Sequence, residues 1–419
     1  YKASHDRLPG VLNRDQFYED VHDMVNKYHD TTFYLICSNI KDFKFINEIF
    51  GMEKGNQVLI KQAKLMASNP SERTICARLM NDRFALCLPR EEFDEKRVAD
   101  SIKELQREFS GNSFHLHTYM GVYEIRDRDE AVSIMVDKAN IAADTIKNNY
   151  DCCVAYYDEH LLEISIEQRR LLGEFEPALQ NDEFVMYLQP QVKRDGAAKG
   201  AEALVRWVHP SRGILTPYAF IDILENAGLI YKLDLYIWEK AAQKLAEWKE
   251  KGYGSYHISV NISTKDFYII DIYETFTGLI NKYGIAASNL HLEITETTLM
   301  TDFEKNMNII HKLQGVGFRV EIDDFGSGYS SLNMLKDISA DVLKIDMGFL
   351  RKSENEVKGQ DILESIITLA GKIGMDVITE GVETKKQLDM LTMMGCHEFQ
   401  GYYFSKPVPV SEFEEKYLV

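Results

Sequence analysis

The stretch RVEIDDFGSGYSSL, residues 319–332, sets two adjacent carboxylates, Asp323 and Asp324, between an apolar run and a glycine-rich segment. Val320 and Ile322 read as a buried strand and Gly326 and Gly328 as a tight turn, which puts both acids at the strand's C-terminal end. Two ionised carboxylates that close repel each other, so a positive partner is required. Comparable polar residues punctuate other apolar runs of the chain: Gln189, Glu202, Asn261, Glu293, Lys344, Glu380 and Gln400. Five carboxylates and a carboxamide gathered at one place cannot all stay charged without compensation. Ligands that are all oxygen favour Mg2+ or Mn2+ over zinc or copper. There are enough of them for two ions, and Asp323 is placed to bridge the pair. Paired ions roughly 3.5–4 Å apart are a recurrent solution to phosphodiester cleavage. Lys344 suits the orientation of an attacking water or the neutralisation of charge on a phosphate.

Each residue also has a purely structural reading. An Asp pair before glycine is often a helix cap or turn, and Asn261 and Ser263 in VNIS can simply end a strand. Lys344 can face solvent or form a Schiff base, as in barrel aldolases. Recurrence at successive strand ends favours the metal reading, because a Schiff-base lysine does not need five carboxylates around it.

The elements that must hold these residues follow from periodicity. After residue 180, the strand candidates are FVMYLQP, AEALVRW, HISVNIS, LHLEIT, FRVEIDD, DVLKID, MDVITEGV and EFQGYYF. Amphipathic stretches such as LYIWEKAAQKLAEWKEKG lie between most of them. About eight βα repeats in roughly 250 residues fit a (β/α)8 barrel of the TIM type, whose active site lies at the C-terminal ends of its strands. Before residue 160, shorter strand-like runs alternate with helical ones in an α/β pattern. There, ARLMNDRFALCLP reads as a β-hairpin turning at Asn81-Asp82. Residues 159–180 are helical, a linking helix running into the first helix of the next unit.

Composition bounds the remainder. The 419 residues, 45% hydrophobic and 27% charged, imply two or three soluble globular domains. No apolar run approaches the roughly 20 residues of a membrane span, and no signal peptide opens the chain. The start at Tyr1 leads us to expect a fragment, with an upstream sensory or membrane segment. A net charge of −18 argues against tracking polymeric nucleic acid. The six cysteines form no C-x-x-C and the eleven histidines no H-E-x-x-H, so neither a zinc site nor a disulfide framework is expected. His115 and His117 read as solvent-facing strand positions, and a reducing cytoplasm is the expected location.

The motifs EALVRW, VNIS, EITE, IDDFGSGYSSL, VLKID, EGVE and QGYYFSKP, in this order, make residues 170–419 resemble the EAL family of cyclic di-GMP phosphodiesterases. The resemblance implies a barrel that hydrolyses one phosphodiester of cyclic di-GMP to give linear pGpG. It further implies Glu202, Asn261, Glu293, Asp323, Asp324 and Glu380 as ligands of two Mg2+ or Mn2+ ions, with Lys344 contacting the nucleophilic water. Glu383 would couple the site to the loop DFGSGYSS, which lies near a homodimer interface in such domains. Gln189, Arg206 and Gln400 would hold substrate. Ser327 stands where the family commonly has threonine and keeps the hydroxyl, whereas Thr379 and His397 replace a common alanine and aspartate, bearing on rate and not on the ligand set. The alternative is a receptor that binds cyclic di-GMP without hydrolysing it; such receptors typically lack metal ligands, and none is missing here.

Residues 1–158 resemble the GGDEF family of diguanylate cyclases through HDRLPGVLNRDQF, KDFKFINEIFG and the hairpin. In place of the GGDEF signature stand Met80, Asn81, Asp82, Arg83 and Phe84. Asn39 replaces a metal-binding aspartate and Asn56 a guanine-binding one, whereas Asn47, a base contact, is kept. SERT before the hairpin lacks the R-x-x-D of the inhibitory site. The expectation is a degenerate cyclase-like domain (1–158), a linking helix (159–169) and an intact phosphodiesterase domain (170–419). In that arrangement the first domain is regulatory, with GTP binding without turnover as its remaining ligand option.

Overall fold

The computed structural model describes residues 4–6, 8, 10–41, 43–68, 71–109, 116–147, 149, 152–323, 325, 338–346 and 356–418. The chain forms two compact units, 1–169 and 170–419. The division falls inside one helix, Glu159–Gln180, which carries Pro177 in its last turn.

The first unit is built on a five-stranded sheet. Its strands are β1 (Phe33–Ile40), β2 (Ile75–Met80), β3 (Arg83–Pro89), β4 (Thr118–Glu124) and β5 (Val154–Tyr156), in the order β2-β3-β1-β4-β5. The central strand β1 is buried along its whole length because its side chains alternate between two cores. Phe33, Leu35 and Cys37 pack with the helices Arg14–Lys27 and Val132–Thr145, and Tyr34, Ile36 and Ile40 pack with Phe43–Met66 and Glu95–Phe109. The hairpin β2–β3 forms as expected, with Asn81 taking a left-handed φ of 51° at its turn. His117, expected to face solvent, is buried and stacks on Tyr119 at 5.6 Å, because it enters β4 on an inward face. His115 lies outside the described residues.

The second unit is a closed barrel of eight strands. They are β6 (Phe184–Lys193), β7 (Ala198–His209, with the short β8, Gly213–Leu215, folded back antiparallel on its end), β9 (His257–Ile262), β10 (Leu290–Thr295), β11 (Val320–Asp323), β12 (Val342–Asp346), β13 (Asp376–Glu380) and β14 (Glu398–Phe399). A further two-residue strand, β15 (Val408–Pro409), pairs with β6 outside the ring. Closure comes from β6, which pairs with both β7 and β14.

The barrel departs from eight uniform βα repeats at its start. β6 runs antiparallel to both neighbours, whereas β7 and β9 to β14 are parallel. The reason is the connection: residues 194–197 are too few for a crossover helix, which needs a dozen or more, but suffice for a hairpin. The predicted last strand ends at Phe399, and GYYF continues as a turn.

Around the strands lies one large apolar core, anchored by Trp207, Trp238 and Trp248. Trp238, from the helix Ile230–Glu250, packs at a tilt against Phe276, with ring centroids 4.5 Å apart, and donates from Nε1 to the carbonyl of Asn261 at 2.9 Å. That bond ties a surrounding helix to the strand end that carries Asn261. Trp238→Phe keeps an aromatic ring but removes the donor to that part-buried carbonyl, at a cost of about 0.5–1.5 kcal/mol. The thermal midpoint of the barrel should drop by roughly 2–4 °C per kcal/mol lost; an unchanged midpoint would show that the indole N–H contributes nothing.

Candidate active site

Parallel strands buried on both faces normally read as continuous apolar runs. Here β9 to β11 instead carry polar residues at every second position: His257, Ser259 and Asn261, then His291 and Glu293, then Glu321 and Asp323. Because side chains alternate across a strand, one face of each strand is polar, and these faces meet inside the barrel. Register links them: Glu293 lies beside Asn261 on one side and Glu321 on the other.

At the C-terminal mouth the focus is Lys344, which is fully buried. Its Nζ lies 2.7 Å from Glu380 Oε1, 2.8 Å from Glu293 Oε2, 3.3 Å from Glu202 Oε2 and 3.4 Å from Asp323 Oδ1. An ammonium has three protons to donate and here has four carboxylates to serve. The Glu202 contact is an aligned hydrogen bond, and the other three are ion pairs. Glu293 Oε1 and Oε2, Asp323 Oδ1 and Glu380 Oε1 are buried without an aligned donor. Glu202 is the best satisfied, accepting from Gln400 Nε2 at 2.5 Å and Asn261 Nδ2 at 3.1 Å. Gln400 also donates to Gln189 Oε1 at 3.3 Å, and Gln189 Nε2 in turn donates to the carbonyl of Ser405 at 3.3 Å.

The electrostatics follow from this crowding. Burial raises the carboxyl of Glu293 well above its usual value, and the charge of Glu202 adds to that. Burial likewise raises Glu380, with Asp323 pushing the same way against the pull of Lys344. Glu202 ends below its usual value, because Lys344, Gln400 and Asn261 outweigh the cost of burying it. For Lys344, burial alone would depress the ammonium, but the four carboxylates hold it well above the ordinary lysine value.

The sequence-predicted residues therefore separate into three groups. Gln189, Glu202, Asn261, Glu293, Asp323, Lys344, Glu380 and Gln400 are brought together in one contact network. Arg206 is half-buried four residues beyond Glu202, over the ring of Tyr187 at 5.5 Å and donating to the carbonyl of Val205. Glu383 is exposed in the turn after β13, its backbone N–H donating to Gln387 Oε1 at 2.9 Å. Asp324 and, apart from Phe325, the loop DFGSGYSS with Ser327 lie outside the described residues. Sequence reasoning overlooked Gln191, His257, Ser259, His291 and Glu321, all buried deeper in the barrel. For His257, Ser259 and His291 the signal was the polar alternation in HISVNIS and LHLEIT, and for Glu321 that in FRVEIDD, segments read there only as strands.

A closed α/β barrel with an acidic, lysine-centred mouth is the class of protein that the fold and site define. Comparison with known proteins places it further. The EAL domain model matches residues 173–407, and the diguanylate cyclase, GGDEF domain model matches residues 3–151. The chain belongs to the EAL-domain family, as a tandem protein in which a GGDEF domain precedes the EAL domain.

Among curated relatives, the bifunctional diguanylate cyclase/cyclic di-GMP phosphodiesterase MucR of Pseudomonas aeruginosa is 29% identical, over 98% of this chain and 61% of its own length. The cyclic di-GMP phosphodiesterase PdeR of Escherichia coli is 26% identical, over 99% of this chain and 63% of its own. The chain thus spans about 50–67% of the length of the curated relatives it matches. Among solved structures, the MucR phosphodiesterase in complex with c-di-GMP is 33% identical with a TM-score of 0.56, covering 58% of this chain and 99% of that one. A GGDEF–EAL segment of Vibrio cholerae LapD, 18% identical with a TM-score of 0.60, covers 96% of both chains and shares the fold. No helix among the described residues is long and apolar enough to cross a membrane.

The raised carboxyls predict a pH dependence. In the ion-free chain, Glu293 and Glu380 keep protons in the folded state at pH values where the unfolded chain has lost them. Folding stability therefore falls as pH rises from just above their usual value of 4.5 through the raised one. Glu202 works in the opposite sense, losing its contribution as pH falls, but it is one group against two. With EDTA present the thermal midpoint should drop as pH rises above about 5.5, and a saturating divalent cation should flatten that slope. An identical slope with and without the cation would show that none binds among these carboxylates.

Proposed function

We propose that the barrel is a metal-dependent phosphodiesterase that opens cyclic di-GMP to linear pGpG. The observation that carries this reading is the excess of acid at the mouth: four carboxylates converge on a single buried ammonium that has three protons to give. An all-oxygen donor set with idle lone pairs fits Mg2+ or Mn2+. Glu202, Asn261, Glu293, Asp323 and Glu380, together with Asp324, would hold two such ions. When bound, they supply a water nucleophile at neutral pH and stabilise charge on the attacking and leaving oxygens.

The chain's own residues do the rest. Lys344, locked by its surroundings, presents a fixed positive charge that orients the water and faces the charge developing on the phosphate. Gln400 and Gln189 fix the carboxylate of Glu202 and leave amide edges for the substrate. Arg206 offers a planar fork of donors suited to a phosphate. Relatives named as cyclic di-GMP phosphodiesterases, and a 33% identical phosphodiesterase solved with c-di-GMP, support this choice of substrate.

The first domain reads as regulatory and without cyclase activity. At its hairpin turn the acidic residue Asp82 is folded back, its Oδ2 accepting from the backbone of Ile40 at 3.3 Å, and burial raises its carboxyl. Asn39 is buried and uncharged, so the strand contributes no metal-binding carboxylate there. Phosphoryl transfer from GTP depends on metal-assisted charge neutralisation, which these positions no longer provide.

A turnover assay tests both parts. Purified protein with cyclic di-GMP and Mg2+ or Mn2+ should release pGpG, and exhaustive chelation should stop it; a bound but intact dinucleotide would instead establish a receptor. Asp323→Asn keeps the shape and removes one charge, and should lower kcat at least about 10³-fold if metal activation supplies several kcal/mol. Near-normal kcat in a folded Asp323→Asn protein would reduce this residue to a loop cap. Isolated residues 1–158 with GTP and Mg2+ should yield no cyclic di-GMP, and any yield would overturn the regulatory reading.

A further inference from the structure

The first unit holds a cavity of its own, under the helices Phe43–Met66 and Glu95–Phe109 and against the face of the sheet that they cover. Its floor is apolar: Ile36, Leu88 and Met120 come from the adjacent strands β1, β3 and β4. Met66 and Ile102, one from each helix, form the walls. None of Asn39, Asn47, Asn56 and residues 80–84 lines it, so it is separate from the positions that correspond to the nucleotide signature. The cavity measures about 80 Å³. One water needs about 10–15 Å³ of such space, so the room suits a single ring or a short chain.

Two observations set this apart from a packing fault. The first is Gln62, which lines the cavity and is 1% exposed. Its Nε2 donates to Oγ of the fully buried Ser38 at 2.7 Å, and its Oε1 has no hydrogen-bond partner among the described residues. Turning the amide over exchanges the two atoms and changes nothing else: one polar atom still faces an apolar space unserved. The second is the seating of Glu95–Phe109. A surface helix normally offers the core three to four residues per two turns. This one, about four turns long, fully buries Ile102 and Leu105 alone among its fifteen residues, while Val98 is half-buried at the cavity wall.

We infer that the cavity is a binding site for a small, uncharged, mainly apolar molecule that carries one hydroxyl group. A hydroxyl both donates and accepts, so it serves Gln62 whichever way round the amide stands. The apolar body covers Ile36, Leu88 and Met120 and fills the gap beneath Val98. Glu92, Asp94 and Arg97 also line the cavity, and because they carry both signs of charge they select no net charge in the guest. Occupancy would seat the helix Glu95–Phe109 more firmly on the sheet.

Phenol and toluene, alike in shape and differing in a hydroxyl against a methyl, test the assignment. In the full chain labelled with carbon-13 at Ile, Leu and Met methyls, phenol should shift the signals of Ile36, Leu88, Met66 and Met120 saturably and leave those of the barrel in place. Gln62→Leu should still bind toluene and should weaken phenol relative to it by roughly 2–12-fold, the worth of one net hydrogen bond. Ser101→Phe, which fills the cavity from a half-exposed wall position, should abolish binding of both probes, and it serves as the second variant should Gln62→Leu not fold. Absence of saturable shifts at these four methyls in wild type overturns the site, as do shifts spread evenly over both units or undiminished binding in Ser101→Phe. An unchanged phenol-to-toluene ratio in Gln62→Leu overturns the hydroxyl assignment.

Discussion

A lysine ammonium enclosed by four carboxylates is the constraint on which the barrel depends. Burying any one of these charges alone would cost several kcal/mol, and together they are tolerable only because each is partly another's counter-charge. The balance is incomplete: four acids exceed one base, and the surplus is expressed as the raised carboxyls of Glu293 and Glu380. Stability and readiness for cations thus stem from one imbalance. A core of the same volume filled with leucine and valine would fold more securely and have nothing to offer a phosphate.

Holding that cluster is the task of strand register. Glu293 stands between Asn261 and Glu321 because three parallel strands are aligned so that their polar faces coincide. A slip of one residue in any strand would turn its polar set outward into the apolar packing of the surrounding helices. Trp238, on the outer side, therefore bears on the chemistry at a distance, through the carbonyl of Asn261.

Most of the mouth was legible in the sequence because its residues recur at the ends of apolar runs, a pattern that survives without coordinates. Glu202, Glu293, Asp323 and Glu380 were recognised this way, and they meet around Lys344. The reversal of β6 was not foreseen, although residues 194–197 are too short for a crossover and contain the turn signal Asp195-Gly196. The buried histidines were missed for a different reason. A polar residue at alternate positions suggests a solvated face, and only closure of the strands into a ring shows that both faces are enclosed. His117 misled in the same way, since alternation signals which residues share a face and not whether water reaches it.

The pairing of β6 with β14 joins Lys193 to Glu398 across nearly the whole length of the second unit. Such a contact is among the most non-local that the chain contains, and its loop-closure entropy must be met before any reward is felt. During synthesis the ring cannot close until its final strand has left the ribosome. Gln400, one residue beyond that strand, arrives at the same moment. The nascent chain therefore carries an open, unfinished ring until β14 emerges, and becomes a finished vessel only at that last step. Premature termination anywhere upstream of β14 would leave a gap in the wall, and a partly made barrel would lack the staves needed to hold its own charges.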